Sequence, residues 1–162
     1  MRNDEHEITI RRAKLKDSMD IARLSLQFWE AHPPRDPMLE LKRKPTLKKE
    51  AEQAEKDIRK KNTIILAAEK EGKIIGCSEL LIKKNEGIFR VEKYGYINTM
   101  VVDRKHRKKG IAKKLADEAL KFFRSKGIKY VRTNVYLSNR QAEKFWLGTG
   151  FRPESQFMLK KI

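Results

Sequence analysis

A strand that runs without a linker into a basic, glycine-containing turn and then into a helix limits the fold of this chain more than any other feature. Tyr94 to Val102 alternate as a strand and end on Val101-Val102, and Asp103-Arg104-Lys105-His106 follow at once. Arg107-Lys108-Lys109-Gly110-Ile111-Ala112 then opens a helix, and Ile111, Leu115, Ala119 and Phe122 give it an apolar stripe from about Lys109 to Lys126. Gly127 stands where a left-handed residue commonly stops a helix. The first N–H groups of such a helix have no intrahelical acceptor and sit at the positive end of its dipole, so they can solvate a diphosphate. Gly110 lets the backbone come close, and Ala112 is too small to block it. The spacing matches neither a P-loop nor the three-glycine dinucleotide fingerprint, which disfavours nucleotide triphosphate hydrolysis.

The flanking pattern alternates strands and helices. Ile8 and Ile10 predict a short strand, and Asp17 or Ser18 is expected to cap a helix whose stripe is Ile21, Leu24 and Phe28. His32 to Pro37 holds three prolines and cannot be helical; Thr46 to about Lys60 reads as a second helix facing inward through Leu47, Ala51, Ala54 and Ile58. Thr63 to Glu69 and Lys73 to Ile82 form a hairpin around Glu71-Gly72. Val131, Thr133, Val135 and Leu137 predict a further strand, Ser138 or Asn139 a cap for a helix through Leu147, and Phe157 to Leu159 a last strand.

At 162 residues this is one domain, 1–162, large enough for a real core. Lys and Arg number 39 against 22 Asp and Glu, a surplus of 17 positive charges that attracts anions in general. The basic residues are spread along the chain, as on the Lys/Glu-rich surfaces of thermophile proteins, and no nucleic-acid module is present, so a nucleic-acid partner ranks last. One cysteine, Cys77, rules out an internal disulfide, and His6, His32 and His106 lack metal-ligand spacing; no metal is expected. No apolar run reaches the ~20 residues of a membrane span and the start is charged, which predicts a cytoplasmic protein with no membrane partner.

The run from Tyr96 to Ala112 resembles the acetyl-CoA signature of the GNAT N-acetyltransferase superfamily, with Arg107, Gly110 and Ala112 at its three key positions. Val135, Asn139, Ala142 and Gly150-Phe151 resemble the family's second signature, and the element order follows the family over nearly the whole chain. The resemblance implies a mixed α/β fold: a central sheet of six or seven strands, splayed where the cofactor enters, with about four helices. It implies acetyl-CoA as co-substrate. Met100, Val101 and Val102 would line the pantetheine arm, with backbone hydrogen bonds from Met100 and Val102. The N–H groups of Lys108, Lys109, Gly110, Ile111, Ala112 and Lys113 would hold the pyrophosphate, with Asn139, Ala142 and Trp146 nearer the reactive end.

The reaction so implied is acetyl transfer to a primary amine by direct attack on the thioester. It needs one group to take the amine proton and another to meet the departing thiolate. Trp146 occupies the position where many relatives carry a proton-donating Tyr, so Tyr136 and Tyr96 become the phenols to consider. Glu79, and less so Glu92, are the carboxylates for the base. Cys77 in an apolar strand reads as core, not as a nucleophile. Phe28, Trp29 and His32 lie where similar proteins shape the acceptor pocket, with packing the favoured role for the two aromatics. The acceptor is a small molecule or a protein amino group, and many relatives form homodimers. The alternative is a non-catalytic acyl-CoA-binding or regulatory domain.

Overall fold

The computed structural model describes residues 7–31, 37 and 40–162. Among them five strands lie side by side in chain order: β1 (Thr9–Arg12), β2 (Thr63–Lys70), β3 (Lys73–Lys84), β4 (Lys93–Val102) and β5 (Val131–Thr133). The first four are antiparallel, and β5 joins β4 in parallel. Four helices accompany them: α1 (Ser18–Ala31), α2 (Leu47–Arg59), α3 (Ile111–Ser125) and α4 (Arg140–Gly148). No helix among the described residues is long and apolar enough to cross a membrane.

Strand alternation sends side chains to two cores. Leu66, Ala68, Ile75, Leu80, Ile97 and Val102 meet Ile111, Leu115, Ala119 and Phe123 of α3 and Trp146 of α4. On the opposite face Ile65, Ala67, Cys77 and Val101 meet Ile21 and Leu24 of α1 and Ala54 of α2. Small residues on α2 let it lie close, and Thr46 caps it by accepting the Lys49 N–H. The β2–β3 hairpin turns through Glu71 and Gly72 at φ 50° and 76°, the paired left-handed conformation that a two-residue hairpin needs.

Asp17 does not serve as the expected helix cap. It lies in a 3-10 turn, Leu15–Asp17, where its carboxylate accepts from the Lys14 N–H at 2.7 Å and from both terminal nitrogens of Arg11 at 2.7 and 3.0 Å. Arg11 also reaches Glu69, tying β1, β2 and the start of α1 together. The Arg11 hydrogen bonds hold the Asp17 carboxyl below its ordinary range, against the opposing effect of burial. A folded pKa below the unfolded one adds stability that is fully present above the unfolded value and is lost as pH falls through the folded one. Asp17→Ala is expected to cost about 2 kcal/mol at pH 7, less than a fully buried pair because Arg11 keeps Glu69 and some water. Urea unfolding at pH 7 and at pH 3 checks this, with the gap between variant and parent narrowing at pH 3.

Two strand expectations fail. Alternation makes a segment able to join a sheet, but its backbone must also be held against a neighbouring strand. The β4–β5 ladder ends at Ile97 and Thr133, so residues 134–137 leave the sheet although Val135 continues the pattern. Residues 157–159 pair with no described strand, and Phe157 and Met158 are 91% and 87% exposed. Among the described residues the sheet has five strands where six or seven were expected.

Candidate active site

The end of the β4–β5 ladder creates the site. Gly95 N–H donates to Tyr130 O at 2.9 Å and Thr133 Oγ1 donates to Ile97 O at 3.0 Å, so up to Ile97 the odd-numbered residues of β4 face β5. Pairing with β3 then slips: Leu80 lies opposite Ile97 while Glu79 lies opposite Thr99, leaving Asn98 as an extra residue. This bulge switches the phase. Asp103 N–H donates to Ile75 O of β3 at 2.9 Å, so by alternation Val101 also faces β3 and Met100 and Val102 face the opened side. Their backbone groups line a gap between β4 and the departing chain after Thr133. Val101, named with them in the sequence reading, turns its side chain into the α1/α2 core instead.

The gap leads to the basic turn. Arg107 Nε donates to Val102 O at 3.1 Å, which pins the loop to the end of β4. Lys108 and Gly110 have φ of 59° and 75°, and Lys109 between them does not, an alternation that turns successive N–H groups toward one concavity. Lys114 N–H donates to Gly110 O at 3.0 Å as the first helical bond of α3. The N–H groups of Ile111, Ala112 and Lys113 precede it and have no acceptor within the helix. Exposed Lys105, Lys108 and Lys109 add positive charge around them.

Two supports of this loop escaped the sequence reading. Gln27, near the end of α1, donates to Asp103 at 3.2 Å and accepts the Arg104 N–H at 3.0 Å. Asp103 also accepts the Lys105 N–H at 2.8 Å. Burial works to raise the Asp103 pKa, but these bonds and the nearby cations outweigh it and leave it lowered. Residues 76 apart in sequence carry no local signal of such a contact.

Asn139 caps α4, its side chain accepting the Ala142 N–H at 3.1 Å. Ala142 packs partly buried against the main core. Trp146 is also core, 8% exposed, with Phe145 and Phe151 rings at 4.9 and 4.8 Å in edge-on contact. The chain thus puts an indole without an acidic proton where a phenol was sought.

The structure gathers two of the candidate proton carriers, Glu79 and Tyr96, on one sheet face. Glu79, Leu81 and Lys83 of β3 lie opposite Thr99, Tyr96 and Tyr94 of β4, and none of these six is buried. Asn98 Nδ2 donates to Glu79. Burial raises the Tyr96 phenol pKa, and nearby Tyr136 and Tyr94 add to the shift, so the phenol keeps its proton at neutral pH. Glu92 is exposed in the loop before β4, apart from this group. Burial in the α1/α2 core pushes the Cys77 thiol up to about 12, which leaves it protonated and unreactive at neutral pH. Trp29 meets Phe28 edge-on at 5.3 Å and donates to Glu50 of α2 at 3.4 Å, so it packs α1 against α2. His32 lies outside the described residues, as does most of the proline-bearing stretch.

Comparison with known proteins agrees with this fold. A family model described as Acetyltransferase (GNAT) family matches residues 22–151. A crystal structure of a mutant BH1408 protein from Bacillus halodurans superposes with a TM-score of 0.85 at 23% identity, covering 95% of this chain and 99% of that one. The aminoglycoside N-acetyltransferase AAC(6')-Iy in complex with CoA gives 0.79 at 15% identity, covering 100% of this chain and 99% of that one. A ribosomal-protein-alanine N-acetyltransferase from Brucella melitensis gives 0.73 at 18%, covering 97% and 100%. At these identities the likeness shows the fold.

Proposed function

The chain belongs to the acetyltransferase (GNAT) family, and on that premise we propose that it acetylates a primary amine by direct attack on the thioester of acetyl-CoA. Acetyl transfer is the family's reaction and acetyl-CoA its co-substrate. The observation that carries the reading is continuous: an opened strand edge at Met100 and Val102 runs into a left-handed turn at Lys108 and Gly110 and the free N–H groups of α3. This geometry fits an extended amide-bearing arm ending in a pyrophosphate. The acceptors named for the neighbours, aminoglycosides and a ribosomal protein's alanine, are amines, which supports transfer to nitrogen.

Bound acetyl-CoA supplies an acetyl group whose carbonyl carbon an amine attacks as the thiolate departs. The chain's own groups then divide the work. Exposed N–H groups of β4 bind the carbonyl oxygen where negative charge grows. Glu79, oriented by Asn98, takes the amine proton directly or through water, since only the neutral amine attacks. Tyr96, kept protonated by its surroundings, or Tyr136 beside it donates to the thiolate. Asn139 and Ala142 hold the start of α4 beside the reactive end.

Calorimetric titration with acetyl-CoA at two salt concentrations, followed by an amine panel, tests the proposal. A Cβ at Gly110 meets no atom within 4 Å, so Gly110→Trp costs only the left-handed backbone, about 1–2 kcal/mol, and folds with an indole over the loop. Affinity is expected to fall at least about tenfold in this variant and far less in Gly110→Ala, which carries the same backbone cost without the bulk. Absence of binding by the parent overturns the reading. Binding without turnover on any amine supports the non-catalytic alternative, which the core position of Trp146 favours.

A further inference from the structure

We propose that Lys83 is an anion anchor in the acceptor site, so that the preferred acceptor carries a carboxylate near its reactive amine. The proposal rests on the functional reading above and names the substrate class it left open.

Three cations border the open face that holds Glu79 and Tyr96. Lys60, which feels the charge of Glu79, is paired with Asp57 at 2.5 Å. Arg132, 4.9 Å from the Tyr94 ring, is paired with Glu154 at 2.7 Å. Lys83 has no carboxylate within salt-bridge distance among the described residues; its Nζ lies 3.7 Å from the centroid of the Tyr96 ring. A ring face holds an ammonium in place without cancelling its formal charge. Lys83 is therefore the cation on this face that is both positioned and available.

Its position sets the ligand. Tyr96 pairs with Leu81, and Glu79 lies two residues farther along the same face, about 7 Å at the usual strand rise. A carboxylate at Lys83 and an amine at Glu79 match a short amino acid or a chain end bearing both groups. The surplus of 17 positive charges also steers anions toward the chain and disfavours polycationic acceptors. Glu79 alone could bind any amine; Lys83, held over the Tyr96 ring, adds the demand for a negative group.

The test uses matched acceptors that differ only in the carboxylate: 4-aminobutyrate against butylamine, and phenylalanine against phenethylamine, with the parent and Lys83→Met. The parent is expected to show at least a tenfold higher kcat/KM for the carboxylate member of a pair, carried mainly by KM. Lys83→Met should erase that preference while leaving the neutral member within twofold, which also removes any contribution from differing amine basicity. A parent that prefers the neutral amine, or a variant that loses both equally, overturns the proposal. Calorimetry with N-acetyl-4-aminobutyrate and N-butylacetamide separates the two readings if turnover is absent. Binding of the acid lost in Lys83→Met keeps the anion site while amine transfer fails; binding that ignores the substitution overturns the anion site.

Discussion

Gly95→Ala is expected to unfold with about 2–3 kcal/mol less free energy than the parent, although it adds a single methyl group. A Cβ built on Gly95 lies 2.7 to 2.8 Å from three ring atoms of Phe123, closer than carbon atoms approach without displacement. The ring cannot step aside, because Phe123 is fully buried within the α3 core. The β4 backbone cannot retreat either, since Gly95 N–H is bonded to Tyr130 O and the residue pairs with both Ile82 and Val131. Phe123→Ala alone is expected to cost about 4 kcal/mol through lost burial and a cavity. In that background the added methyl has space, so Gly95→Ala should cost less than about 1 kcal/mol. Urea denaturation of the four proteins measures this coupling. Additive losses would show that the ring does not set the requirement for glycine. Because Gly95 begins the β4–β5 ladder, its clash should also loosen the strand pair that separates beyond Ile97 and Thr133.

Trp146→Ala is expected to cost about 4 kcal/mol, while Trp146→Phe costs less than about 1.5 kcal/mol. The indole is buried and meets Phe145 and Phe151 edge-on, and each such ring pair adds about 0.5–1.5 kcal/mol beyond burial. Its backbone carbonyl also accepts the N–H of Phe151 at 3.0 Å, where the chain leaves α4 through Gly150 at φ 88°. Removing the side chain therefore uncouples α4 from the sheet and with it Asn139, which caps that helix. Thermal melts report the loss, a fall in Tm of roughly 8–16 °C at the usual scaling for this chain length. If Trp146 instead matters chiefly through cofactor contact, Trp146→Ala will weaken acetyl-CoA binding with an almost unchanged Tm.

Local chemistry made much of this legible. The φ values at Glu71, Gly72, Gly110 and Gly127 follow from turn and helix-end requirements that glycine and its neighbours announce in order. Of the two caps offered for α4, Ser138 and Asn139, it is Asn139 that accepts the Ala142 N–H, while Thr46, read as the first helical residue, caps α2 instead. The strand, basic turn and helix start from β4 to α3 were legible because they are adjacent in the chain. The last strand was misread because alternation at Phe157 to Leu159 does not say whether an edge awaits it. Asp17 was misread as a cap because its partner, Arg11, comes from a different element.

The sequence by itself determined the order of the elements from β1 to α4, most of their inward faces and the basic turn that opens α3, since periods of two and 3.6 residues and free helix N–H groups are properties of short segments. The tertiary structure decided what pairing across the sheet controls. It set the bulge at Asn98 that turns Met100 and Val102 toward the gap and the end of the β5 ladder at Thr133. It also placed Glu79, Tyr96 and Lys83 together on one uncovered face and clamped Asp103 with Gln27. Register and coverage depend on which distant segments meet, and no single stretch of chain contains that information.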